Sequence, residues 1–142
     1  MKKILFVCTG NTCRSPMAEA LFNHIVNDEE YKASSCGIYS DGSPISKNAK
    51  EALKEYGIDF SHTSTQVSDN LLYDADYIIG MTANHAQNLI SMFPQYADKT
   101  YAMPIDIADP YGGNIDVYRN CRDEIEKCVT VLIETLKGDN NG

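Results

Sequence analysis

The feature that most constrains this chain is a four-residue apolar run, Ile4-Leu5-Phe6-Val7, that leads straight into a glycine-containing loop ending at Ser15-Pro16. A β-branched and aromatic run of that length, followed closely by a helix start, reads as a central parallel strand feeding a crossover helix. Ser15 suits the N-cap and Pro16 the first helical position, and neither suits a helix interior. Met17, Ala20, Leu21, His24 and Ile25 follow at three- and four-residue spacing and give that helix an apolar face. The alternation then continues. An extended piece over 32–36 ends in Gly37, and a second helix from about Ser46 through Tyr56 stops at Gly57 in the C′ position. Tyr77–Met81 reads as a buried strand, Thr82 caps a helix that Pro94 ends, and 100–103 is a weaker strand. Tyr118, Cys121, Ile125, Cys128 and Leu132 form the seam of a long last helix. The expected fold is therefore α/β: one three-layer α/β/α domain around a mostly parallel, four-stranded, flavodoxin-like sheet. The domain is expected to span 1–137, with 138–142 as a flexible tail.

At 142 residues the chain is the size of one domain. Met1-Lys2-Lys3 before an apolar run resembles the start of an export signal, yet the run stops after four residues, short of a signal core. Twelve Lys and Arg stand against twenty Asp and Glu, a formal net charge of −8. Such a surface repels phosphate backbones and anionic lipid, which argues against nucleic-acid or membrane partners held by bulk charge. Five cysteines cannot all pair, and with no convincing export signal they are expected to be reduced thiols in a cytoplasmic protein. Any anion site must then be small and local.

The loop Cys8-Thr9-Gly10-Asn11-Thr12-Cys13-Arg14-Ser15 has what such a site needs. It lies at the carboxyl end of the first strand and at a helix N-terminus, where unpaired amides and the helix dipole favour an oxyanion. Gly10 and Asn11 tolerate left-handed backbone, so successive N–H groups can form a nest. Arg14 offers a planar fork matched to two phosphate oxygens, and Cys8 sits where amides and guanidinium would stabilise a thiolate. Alone, a cysteine after a strand is usually core and an arginine at a helix start is usually solvated. At C-x5-R-S between strand and helix those ordinary readings weaken. The P-loop and dinucleotide glycine patterns are absent, and Cys8 with Cys13 lacks a second ligand pair for zinc. Covalent chemistry on a phosphate-like oxyanion remains, with no metal and no cofactor.

The stretch Val7-Cys8-Thr9-Gly10-Asn11-Thr12-Cys13-Arg14-Ser15-Pro16-Met17-Ala18-Glu19-Ala20 resembles the opening of the low-molecular-weight protein tyrosine phosphatases. The likeness extends through Ser35-Cys36-Gly37 and Ala75–Thr82 to Asp109-Pro110-Tyr111, essentially the whole chain. It implies that Cys8 attacks phosphorus and becomes a phosphocysteine. Arg14 and the amides of Thr9, Gly10, Asn11, Thr12, Cys13 and Ser15 would clamp the equatorial oxygens. Asp109 would protonate the leaving atom and then act as base on water, although Asp-Pro more often marks an ordinary turn. Ser15 would hydrogen-bond the departing sulfur, while helix capping is also a sufficient reason for a serine there. Asn11, Ser35 and His62 match a bracing network of the family, with Thr65 departing from its His-x-Ser-Arg pattern; a lone histidine is as often an ordinary surface or core residue. His24 and His85 are read as plain helix residues. Cys13 is a candidate redox partner of Cys8, or simply a small buried side chain.

Within the family, tyrosine-directed members carry a bulky aliphatic residue at the position of Thr12 and an aromatic at Gly112. The arginine-directed branch carries Thr and Gly-Gly, as here in Thr12 and Gly112-Gly113. The resemblance therefore points to a protein-arginine phosphatase, with Thr12 and Tyr111 lining the substrate pocket and phosphorylated proteins as substrates. Phosphotyrosine is the alternative substrate. Thioredoxin-linked arsenate reduction is disfavoured because 82–88 lacks the further cysteine pair, and a non-catalytic phosphate-binding or redox-sensing module would have no use for Asp109. A monomer is expected.

Overall fold

A computed structural model describes the backbone of residues 1–141 and the side chains of 1–138. The strands are β1 (Lys2–Cys8), β2 (Tyr31–Gly37), β3 (Tyr77–Gly80) and β4 (Thr100–Ala102), all parallel, in the order β2-β1-β3-β4. The helices are α1 (Arg14–Val26), α2 (Lys47–Lys54), α3 (Asp69–Asp74), α4 (Ala83–Met92) and α5 (Ile115–Asn141), with a 3₁₀ turn over Pro94–Lys99. The α/β class, the four parallel strands and the three layers are as expected. α5 continues through Asn141, past the start of the expected tail, and Gly142 lies outside the described residues.

The period-two alternation of β1 separates the two cores. Ile4, Phe6 and Cys8 face a large cluster with α1, α2 and α5, while Leu5 and Val7 face a smaller one with Leu72 of α3 and Leu89 of α4. Phe6 meets Phe22 edge to face at 6.0 Å. Because β1 pairs with β2 on one side and β3 on the other, the strand order turns at β1 and β3. Their carboxyl ends open the crevice where such folds bind ligands.

Two local expectations change. Cys13, not Ser15, occupies the N-cap of α1, and it makes no side-chain cap bond. Ser15 lies inside the first turn because its hydroxyl is drawn to the Cys8 sulfur, and proline is tolerated anywhere in a first turn, where its missing N–H has no helical partner. The apolar face of α1 also rotates: Met17, Ala18, Leu21 and Phe22 are fully buried, whereas His24 is exposed. A helix wedged between a sheet and α5 buries two flanks, not one. Ser46 and Thr82 cap α2 and α4 through their hydroxyls. α3, capped by Ser68, had no counterpart in the sequence reading; its six residues are too few to display a helical period. No helix among the described residues is long and apolar enough to cross a membrane.

Candidate active site

Cys8 ends β1, and the loop curls back over it. Its sulfur lies 2.9 Å from Ser15 Oγ and accepts the Asn11 N–H at 3.3 Å, two donors suited to a thiolate. Among the described residues the amides of Gly10, Thr12 and Cys13 have no protein partner, so an anion-binding nest stands ready in front of the α1 N-terminus. Gly37 explains how the loop fits. A Cβ there would stand 2.6 Å from the Thr9 carbonyl oxygen and 3.0 Å from Asn11 N, so only glycine allows the loop to lie on the end of β2.

Asn11 is the keystone of the loop. It is fully buried and left-handed, with φ of 60°. Its Oδ1 accepts the Thr65 N–H at 2.9 Å and stands 2.8 Å from His62 Nε2, while its Nδ2 donates to Ser15 Oγ at 2.8 Å. An amide oxygen only accepts, so His62 carries its proton on Nε2. Burial pushes His62 below its ordinary value, so the ring is neutral near pH 7. The 3.9 Å approach of His62 Nδ1 to Glu19 is thus a contact with a neutral ring rather than an ion pair. Glu19 is itself pushed up by burial, with the Ser35 hydroxyl and the Lys32 charge acting the other way. Ser35 donates to Glu19 Oε1 at 2.6 Å and so connects to Asn11 through Glu19 and then His62. The departure at Thr65 is harmless to the loop, because its backbone amide makes the bond.

Arg14 is almost fully buried, and its Nη1 donates to the Ile107 carbonyl at 3.0 Å. Its Nη2 lies 3.8 Å from Asp109 Oδ2, which brings the second chemical group to the mouth of the first. The other Asp109 oxygen accepts the Tyr111 N–H at 3.1 Å, an Asx turn that orients the carboxyl on its loop. Gly10, Thr12, Tyr39, Asp41 and Tyr111 line an open cleft above the nest. Gly112 has φ of +80° and open space around it, so side chains are disfavoured there by backbone strain rather than by crowding. Gly113 is the reverse case, with Val117 and the Pro110 carbonyl within 2.9 Å of any Cβ.

The remaining cysteines separate by environment. All five are free thiols. Cys13 contacts the cap of α2 and α5, its sulfur 3.3 Å from Tyr118 Oη and 3.5 Å from Ser46 Oγ. Burial pushes Cys36 and Cys121 up to about 12 and raises Cys128, leaving three inert core thiols. The sequence reading missed Glu19, the Ile107 carbonyl and His85, which stands 2.9 Å from Thr9. A histidine three residues after a capping threonine was the available signal for the last.

Over residues 3–141 the chain matches the family described as low molecular weight phosphotyrosine protein phosphatase. It is 43% identical to a protein-arginine-phosphatase of Geobacillus stearothermophilus over 95% of this chain and 96% of that protein. It is 40% identical to a protein-arginine-phosphatase of Bacillus subtilis over 96% of this chain and 97% of that protein. The structure of the YwlE arginine phosphatase with a phosphorylated active-site serine superposes with a TM-score of 0.92 at 38% identity, covering 98% of both chains. With a buried cysteine under an amide nest, an arginine beside it and a matching domain from end to end, the chain belongs to the low molecular weight phosphotyrosine protein phosphatase family.

Proposed function

We propose that this protein is a cysteine-dependent protein phosphatase that removes the phosphoryl group from phosphoarginine residues of proteins. The observation that carries the reading is the placement of Asp109 against Arg14: the nest alone would only bind an anion, and the carboxyl adds a proton donor at the leaving-group side. The phosphoryl group docks on the nest amides and Arg14, with phosphorus in line with Cys8 Sγ. The sulfur forms an S–P bond as the P–N bond breaks, and Asp109 delivers its proton to the departing guanidine nitrogen. Asp109, now a carboxylate, takes a proton from water, whose oxygen displaces sulfur from phosphorus and releases phosphate. Ser15 Oγ and the Asn11 N–H receive the thiolate as it returns. The reading uses no metal or cofactor, and it includes a monomeric, cytoplasmic protein.

The choice of phosphoarginine is supported by Thr12 and the Gly112-Gly113 pair, and by the two relatives of that activity at 40% and 43% identity. Phosphate release from phosphoarginine protein and phosphotyrosine peptide, measured side by side, tests it. Faster release from phosphoarginine is expected. Faster turnover of phosphotyrosine overturns the substrate, and release from neither with Cys8 reduced overturns the enzyme. Thr12→Ile is expected to move the preference toward tyrosine by about tenfold, the scale of a pocket methylene or two.

A further inference from the structure

His85 bridges the two strand ends that frame the crevice. It sits in the first turn of α4, almost fully buried, and both ring nitrogens are engaged. Nδ1 lies 2.8 Å from Thr82 Oγ1, at the exit of β3, and Nε2 lies 2.9 Å from Thr9 Oγ1, at the exit of β1. Thr82 is itself fixed, since its hydroxyl oxygen accepts the His85 backbone N–H at 3.2 Å. The close approach is built into the backbone: a Cβ on Gly80 would lie 2.7 Å from Ala86 N and 3.1 Å from His85 Cβ. Thr9, the residue after the nucleophile, is otherwise exposed and held by its carbonyl, which accepts the Tyr39 N–H at 2.9 Å.

The charged groups facing the ring are Arg14 from α1 and Asp106 and Asp109 from the segment after β4. Burial first, and then the Arg14 charge, push His85 down to about 4, so at neutral pH the ring is uncharged. A neutral ring donates through one nitrogen and accepts through the other, which suits a link between two hydroxyls. It also leaves Arg14 as the cation of the site and Asp109 free of a competing partner.

Resting on the phosphatase reading, we propose that His85 is a positioning residue that pins the Thr9 hydroxyl and so holds the Thr9–Gly10 arm of the amide nest in its anion-binding arrangement. It touches neither the phosphoryl group nor Cys8; it acts through Thr9.

The test is a double-mutant cycle on orthophosphate binding, followed by chemical-shift titration of the loop amides in the full chain, with kcat and KM in parallel. His85→Phe keeps a ring and removes both nitrogens, Thr9→Val removes the hydroxyl at constant shape, and His85→Gln keeps a polar atom near the position of Nε2. Each of the first two is expected to weaken phosphate binding about three- to tenfold, the range one hydrogen bond carries. The double variant should be no weaker than either, and His85→Gln should recover most of the loss, with kcat falling alongside affinity. Unchanged phosphate affinity in Thr9→Val, or strictly additive losses, overturns the proposal. If His85→Phe does not fold, Thr9→Val and His85→Gln decide: a loss in the first without one in the second supports it, and any other pattern overturns it. Phosphate binding is read without turnover. Failure of the phosphatase reading would therefore show as absent hydrolysis by the wild type, whereas failure of the His85 role shows in the variants' affinity.

Discussion

The two halves of the site are built differently. On the phosphate side, Asn11 is fully buried, and bonds from Ile38 and Tyr39 just after β2, the segment around 62–65 and the first turn of α1 set its loop. On the leaving-group side, the Asp109 side chain is 55% exposed and Tyr111 is 80% exposed, and the Asp109 carboxyl is oriented by an Asx turn and a long contact to Arg14. The chemistry common to all phosphoryl substrates is thus anchored in the core, and the part that meets the leaving group lies on the surface. Exposed loops tolerate change better than buried ones. Changes at Tyr111 and Gly112 can therefore alter the cleft without disturbing the anion cradle, whereas a change at Thr12 touches the cradle itself.

The sharpest way to break that comparison is to remove one group from each half. Asp109→Asn is expected to lower kcat by about 10²- to 10³-fold, within the range for a lost general acid. Phosphate affinity should stay near that of the wild type, and the melting temperature should barely move, since surface changes cost within about 0.5 kcal/mol. A large loss of stability would mean the acid loop is structural. Asn11→Ala should do the opposite. It removes three buried hydrogen bonds and leaves a left-handed residue without the side chain that supports it, for a destabilisation of about 2–4 kcal/mol in urea unfolding. A variant as stable as the wild type would show that the brace is dispensable.

The smallest effect is the most discriminating. His85 and His62 are both pushed below their ordinary values by burial. Well above their ordinary value of about 6.5, both are neutral in folded and unfolded chains and contribute no pH dependence. As pH falls from about 6.5 toward 4, the unfolded chain takes up protons that the folded one refuses, so these residues lower stability over that window. Glu19, pushed up, gives the opposite slope above its ordinary value. Stability of His85→Gln measured across that window should lose the His85 part of the slope. An unchanged slope would mean that the ring is not held neutral.

What could be seen in the sequence followed chain proximity. Cys8, Asn11, Arg14 and Ser15 lie within one strand–loop–helix unit, whose strand run, turn residues and helix start are local signals, so the proposed nucleophile and its cradle were legible together. Asp109 was an ordinary turn residue until the resemblance supplied its partner. His62 was undecided for the same reason, and His85 was passed over. Ser15 was legible with two roles left open, capping its helix or bonding the sulfur; the cap falls to Cys13 and the Ser15 hydroxyl lies 2.9 Å from the Cys8 sulfur.

Local propensity and hydrophobic period were therefore sufficient for the α/β alternation, the parallel sheet and the position of the anion loop. They were not sufficient for the contacts that hold the loop. His62 reaches Asn11 across 51 residues, His85 reaches Thr9 across 76, the Ile107 carbonyl holds Arg14 across 93, and Tyr118 meets Cys13 across 105. Such pairs have no periodicity to betray them. They exist because the strand order turns at β1 and β3, bringing distant loops to one crevice, where burial then fixes which polar atoms must find each other.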